Sequence, residues 1–151
     1  MTITVKKTVD KVISHAGALL FMENAGNASL TPMVTDEQKV MLASLVWVEI
    51  NLLAVQLSSY TREMRTAGEG KITGRITFEL NVTSSQLDTI ALNMESLLQS
   101  VVVYRVLARL FGENDCCSSR RYADAADIAR GMFVSRITAA KAGNCRITPH
   151  W

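Results

Sequence analysis

Between Gln86 and Phe111 the apolar residues fall into two interleaved series, Leu87, Met94, Val101, Ala108 and Ile90, Leu97, Tyr104, Phe111, each stepping by seven. Offset by three, the two series share one face of a helix. A long helix is therefore predicted as the element around which the chain is organised. Its first half is amphipathic. Its second half, VVVYRVLARLF from Val101 to Phe111, is apolar on nearly every face, relieved only by Arg105 and Arg109, and requires burial on several sides. Thr83 and Gln86 have the spacing of a capping box at its start, and Gly112 suits a C-cap at its end.

The same pattern predicts the other elements. Thr2 to Val5 alternate polar and apolar, as in a short extended arm or strand. A first helix follows, with Thr8 as N-cap and Val9, Val12, Ile13, Ala16, Leu19 and Leu20 on one stripe. Asn24 to Val34, with Pro32, reads as a loop. Thr35-Asp36-Glu37-Gln38 is a capping box opening a second helix that runs to about Met64. From Val40 to Leu57 this helix is apolar almost all round, interrupted by Ser44, Glu49, Asn51 and Gln56. Its length could just span a bilayer, but Glu49 and Asn51 near its centre favour a buried helix inside a bundle.

After the break at Thr66 to Gly70, Lys71 to Val82 alternates with period two, Ile72, Gly74, Ile76, Phe78, Leu80 and Val82 on one side, which predicts one long strand. Its candidate partners are short: Arg62 to Thr66, the Thr2 to Val5 arm, and Arg146 to Thr148. A shortfall would be made up by another subunit through strand addition. Glu113 to Ser119 reads as a connection. A last helix, Ser119 to Ala142, carries Tyr122, Ala126, Ala129, Phe133, Ile137 and Ala140 along one face, and Gly143 and Asn144 stop it before the tail. The fold expected is mainly α: one domain, residues 1–151, with four main helices, a β arm between the second and third, a short N-terminal arm and a C-terminal tail.

Composition changes this picture in one respect. With 48% hydrophobic residues among 151 and a mean hydropathy of +0.16, the apolar excess needs cover from a core, other subunits or lipid. The net charge of +2 is too small to imply a polyanion partner. It is unevenly spread: Val101 onward holds eight basic and four acidic residues, or +4, and the first 100 residues hold eight and ten, or −2. Three cysteines, two adjacent at Cys116 and Cys117, fit reduced thiols in a cytosol. No secretory leader pattern opens the sequence.

Candidate chemistry is sparse. Cys116, Cys117, Cys145 and His150 are ligand types zinc accepts, but the spacing lacks a C-x2-C or H-x3-H pair and a long helix separates the two groups. His15 lies beside the first apolar stripe. Glu49 is the best candidate for a buried carboxylate, with Arg105 or Arg109 as its cation. GEGKITG lacks the ending of a phosphate loop. Arg120, Arg121, Arg130 and Arg136 on the last helix are candidates for facing DNA through phosphates. Neither a cofactor nor catalysis is expected.

VVVYRVLARLF and the following RRYADAADIARGMFVSRITAAK resemble the closing helices of the head-to-tail connector, or adaptor, proteins of tailed bacteriophages and prophages. The similarity covers roughly Ser84 to Lys141, while the second helix is longer than in that family. The resemblance implies a non-enzymatic subunit of a ring beneath the portal, with long helices making ring contacts and a basic lumen facing DNA. It places the protein in the virion after assembly in the host cytoplasm, among portal or tail components, and not in a membrane. The residues expected to face other subunits are Ile72, Ile76, Phe78, Leu80, Val102, Val103, Val106, Leu110 and Trp151. The alternatives are a small cytosolic protein binding nucleic acid through its basic last helix, and a helical protein using Val40 to Leu57 at a membrane.

Overall fold

The computed structural model describes residues 1–23, 34–82, 84–112 and 115–142. In order, these form β1 (Thr2–Thr4), α1 (Val5–Glu23), α2 (Asp36–Gln56), β2 (Thr61–Ala67), β3 (Arg75–Leu80), α3 (Ser84–Phe111) and α4 (Cys116–Ala142). The chain is mainly helical, with a small antiparallel sheet in the order β1-β3-β2.

The single long strand expected over Lys71–Val82 is replaced by this sheet. Lys71–Gly74 forms the turn, in which Lys71 N–H donates to Gly68 O and Gly74 N–H to Lys71 O, both at 3.0 Å. The strand proper is Arg75–Leu80. It is paired on both edges within the chain, Thr2–Thr4 opposite Arg75–Thr77 on one side and Thr61–Ala67 opposite Arg75–Leu80 on the other. Two of the three candidate partners therefore supply the pairing, and strand addition to β3 has no free edge to use. The third, Arg146 to Thr148, lies outside the described residues.

The same rearrangement shortens the second helix. It stops at Gln56 instead of near Met64, because Leu57 O accepts from both Tyr60 N–H and Thr61 N–H, at 2.8 and 3.1 Å, and from the Thr61 hydroxyl. That folds the chain back, and the residues beyond it join the sheet. The capping box at the other end of α2 is present: Gln38 N–H donates to Thr35 Oγ1 at 3.2 Å and Thr35 N–H to Gln38 Oε1 at 2.9 Å.

Helix α1 starts earlier than expected. Val5 N–H donates to Gly74 O across the sheet, and Thr8, expected as N-cap, is a buried residue inside the helix whose hydroxyl donates to Thr4 O at 2.9 Å. Helix α4 also starts earlier, on an Asp115 cap. Thr83, the expected cap of α3, most of the Asn24–Val34 loop, and the stop at Gly143 and Asn144 lie outside the described residues.

The core joins Val9 and Val12 of α1, Val46, Ile50 and Leu53 of α2, Ile76 and Phe78 of β3, Leu98 to Leu107 of α3, and Phe133 and Ile137 of α4. Burying each of these larger side chains contributes roughly 1.5–3 kcal/mol. The Val101–Phe111 half of α3 is enclosed on several sides, as its composition requires: Val101, Val102, Val103, Val106 and Leu107 are all buried. Helices α1 and α2 pack on α3 and on each other, and α4 packs chiefly along α3.

Candidate functional site

Eight of the nine residues expected to face other subunits pack against the chain's own core. Ile76, Phe78, Leu80, Val102, Val103 and Val106 are buried in the core, and Ile72 and Leu110 are half-buried against it. The physical reason is the home pairing of β3, which turns its apolar face onto the helices. Trp151 lies outside the described residues.

The apolar surface that is open belongs to α2. Met41, Leu45, Val48, Leu52 and Val55 step by four, three, four and three, the spacing of a helix–helix seam. Four of the five are widely exposed, at 53% for Met41, 45% for Val48, 44% for Leu52 and 74% for Val55, and Val40 beside them is 61% exposed. Leu45 is half-buried. Opposite this stripe, Leu42, Val46, Trp47, Ile50 and Leu53 are buried, so the helix is apolar on both its inner and outer sides. The expectation of a buried central helix is corrected to a helix buried on one side and open on the other.

The stripe is also free of charge. From Val40 to Gln56 every exposed position of α2 is apolar or neutral. The one acid in this stretch, Glu49, points inward, where Arg109 of α3 forms an ion pair with it. The adjacent Arg105 instead donates to Gln56 Oε1 at 2.6 Å. These contacts tie α2 to α3 and hold the outer face in a fixed orientation.

The turn of the hairpin meets the opposite, inner side of α2. Trp47 Nε1 donates to Lys71 O at 3.0 Å, which ties the turn between β2 and β3 to α2. Met64 on β2 is paired with Phe78 on β3 and shares its side of the sheet. Phe78 is buried while Met64 is 39% exposed. The sheet therefore overhangs the helical layer at β2, whose free edge carries Arg62, Glu63 and Arg65. An edge so charged resists pairing with another strand.

The arginines of α4 do not converge. At about 3.6 residues per turn, Arg120, Arg121, Arg130 and Arg136 point in four different directions. Arg120 and Arg121 are exposed, Arg130 is paired with Asp127 at 3.5 Å, and Arg136 is half-buried. Arg121 borders a cleft of about 280 Å³ with Tyr104, Ser118, Tyr122 and Ala125. Behind that cleft Tyr122 stacks on Tyr104 and Phe111, with ring centroids 6.2 and 5.8 Å apart, and His15 meets Tyr104 edge-on. Burial pushes the Tyr122 phenol above its ordinary pKa. The cluster locks α4 to α3.

Beyond Arg121, α4 carries a second open stripe, in which Ile128, Met132, Ser135 and Ala139 are exposed and Ala125, at the edge of the cleft, is half-buried. Ile128 is 65% and Met132 46% exposed. Neither open stripe was singled out by periodicity, because each shares its helix with a buried stripe and the pattern does not say which side faces water.

Cys116 and Cys117 are exposed free thiols, while Cys145 and His150 lie outside the described residues. Among the described residues no cluster of three His, Cys, Asp or Glu side chains is placed to hold a metal ion. Helix α2 is long and apolar enough to cross a membrane, with a mean hydropathy of 1.4 over 18 residues, 44% of them buried, a test that the core helix of a soluble protein also passes. Comparison with known protein families, curated proteins and solved structures finds no match to this chain.

Proposed function

We propose that this protein is a non-enzymatic structural subunit of a homo-oligomeric assembly. The observation that carries this reading is the open, uncharged face of α2. Five apolar side chains at seam spacing, on a helix pinned from behind, are costly to leave in water and suited to packing against protein. The finer reading is a ring subunit of a phage head-to-tail connector or related virion component, working with portal or tail proteins. It is supported by the similarity of Ser84–Lys141 and by the 21 residues of α2, which remove the excess length that set the second helix apart from that family.

Binding of nucleic acid through α4 draws less support, because its arginines are spread around the helix. Lipid is the competing cover for α2. Light scattering on purified protein separates the readings. A mass at a multiple of 16.6 kDa without detergent is expected. A stable monomer at micromolar concentration would overturn the assembly, and recovery only with detergent would favour lipid. For the connector reading, portal or capsid genes beside the coding sequence are expected, and their absence from a complete genome would count against it.

A further inference from the structure

The molecule has two open apolar stripes of unlike shape, and together they specify how copies would join. Resting on the reading of an oligomeric subunit, we infer that the outer face of α2 in one copy packs, in parallel, on the outer face of α4 in the next. The contact is heterologous, so each copy offers α2 to one neighbour and α4 to another, and repetition makes a ring or an open chain.

Three observations carry this. The stripes have equal length, Met41 to Val55 and Ala125 to Ala139, two heptads each, or about 21 Å at 1.5 Å per residue. Set side by side at a constant offset, Met41 meets Ala125, Val48 meets Met132 and Val55 meets Ala139. Large side chains on α2 face a stripe on α4 interrupted by Ala125, Ser135 and Ala139, the shapes of knobs and holes.

The ends match in charge. One turn before each stripe, α2 carries exposed Glu37 beside Asp36, and α4 carries exposed Arg121 beside Arg120. The same offset places Glu37 opposite Arg121. An antiparallel arrangement would bring Arg120 and Arg121 to the turn Leu57–Tyr60, which offers no acid. Pairing two copies of α2 about a twofold would set Asp36 and Glu37 against their own kind in parallel, and would leave Ile128 and Met132 in water in either direction. The heterologous contact covers both stripes at once.

Two variants decide between these arrangements. Leu52→Glu disables the α2 face and Met132→Glu the α4 face, and both positions are exposed, so circular dichroism should be unchanged and melting should match that of wild type diluted to the monomer. Val55→Lys and Ile128→Lys, at the most exposed large apolar side chain of each stripe, serve as the second pair. Analytical ultracentrifugation should show wild-type oligomers, a monomer for each variant alone, and a dimer at equal proportions when the two are mixed, because one intact α2 face then meets one intact α4 face. Glu37→Arg should weaken wild-type assembly roughly threefold to tenfold, and adding Arg121→Glu should restore it. If Met132→Glu still dimerises alone, the contact is α2 on α2, and the heterologous inference fails while the oligomeric reading stands. Failure of the mixture to dimerise also overturns the inference. A monomeric wild type overturns both.

Discussion

At the scale of single residues, two acids hold elements in place, Glu49 between α2 and α3 and Asp115 at the start of α4. Glu49 is buried with Arg109 as its counter-ion, and a carboxylate stripped of its partner in such a place is costly. Arg109→Ala should lower stability by about 2–3 kcal/mol in urea unfolding, less than the ~3–5 of a fully enclosed pair because half of the Arg109 side chain is in water. Replacing both with Glu49→Gln and Arg109→Gln should cost less than the single change. Asp115 is half-buried and caps α4: its carboxylate accepts from the Ser118 hydroxyl and from the N–H groups of Ser118 and Cys117, the latter two at 3.1 Å. The Ser118 hydroxyl bond is the first cause holding the Asp115 pKa below its ordinary value of 3.8. A depressed carboxylate stabilises the fold fully above its unfolded value and loses that contribution as pH falls towards and through the folded one. Between about pH 5 and about pH 3 the melting temperature of the wild type should therefore fall more steeply than that of Asp115→Asn, which keeps a capping oxygen without the charge. Parallel slopes would remove Asp115 from the acid response.

At the scale of elements, the hairpin shows where reading the sequence succeeds and where it stops. The alternation from Lys71 to Val82 identified the buried side of β3 correctly, with Ile76, Phe78 and Leu80 inward. It did not reveal that the strand begins only at Arg75, because the turn before it obeys the same alternation by chance while being shaped by backbone contacts. Gly68 and Gly70 have positive φ, at 64° and 74°, and Gly74 has no room for a side chain. A Cβ there would lie 2.3 Å from Gly68 O and 2.4 Å from the Trp47 ring. Gly74→Ala should therefore destabilise the protein by about 1–3 kcal/mol, the range for overpacking a tight site, and shift the indole signal of Trp47. Unchanged stability would mean that the turn can open without cost. Likewise, the capping box of α2 was legible because it is local, whereas the end of α2 at Gln56 depends on the sheet to come.

At the scale of the whole molecule, the apolar excess was legible in composition and its location was not. The sequence pointed to Lys71–Phe111 as the surface shared with other copies, since β3 lacked obvious partners and α3 was apolar all round. Home pairing of β3 and the packing of α1, α2 and α4 around α3 consume that surface, and the excess emerges on the outer sides of α2 and α4. If those sides are covered only by assembly, folding and association are linked: a partner that binds the folded chain alone raises the melting temperature with its concentration. The wild type should then melt at a temperature that climbs by several degrees over a hundredfold rise in protein concentration, since a hundredfold corresponds to about 2.7 kcal/mol of association and a domain of this size shifts by roughly 2–4 °C per kcal/mol. Leu52→Glu, with one face disabled, should melt at a temperature independent of concentration. A wild type equally insensitive to concentration would mean that Met41, Val48, Leu52 and Val55 stay in water in the folded protein, and that the assembly does not form in solution.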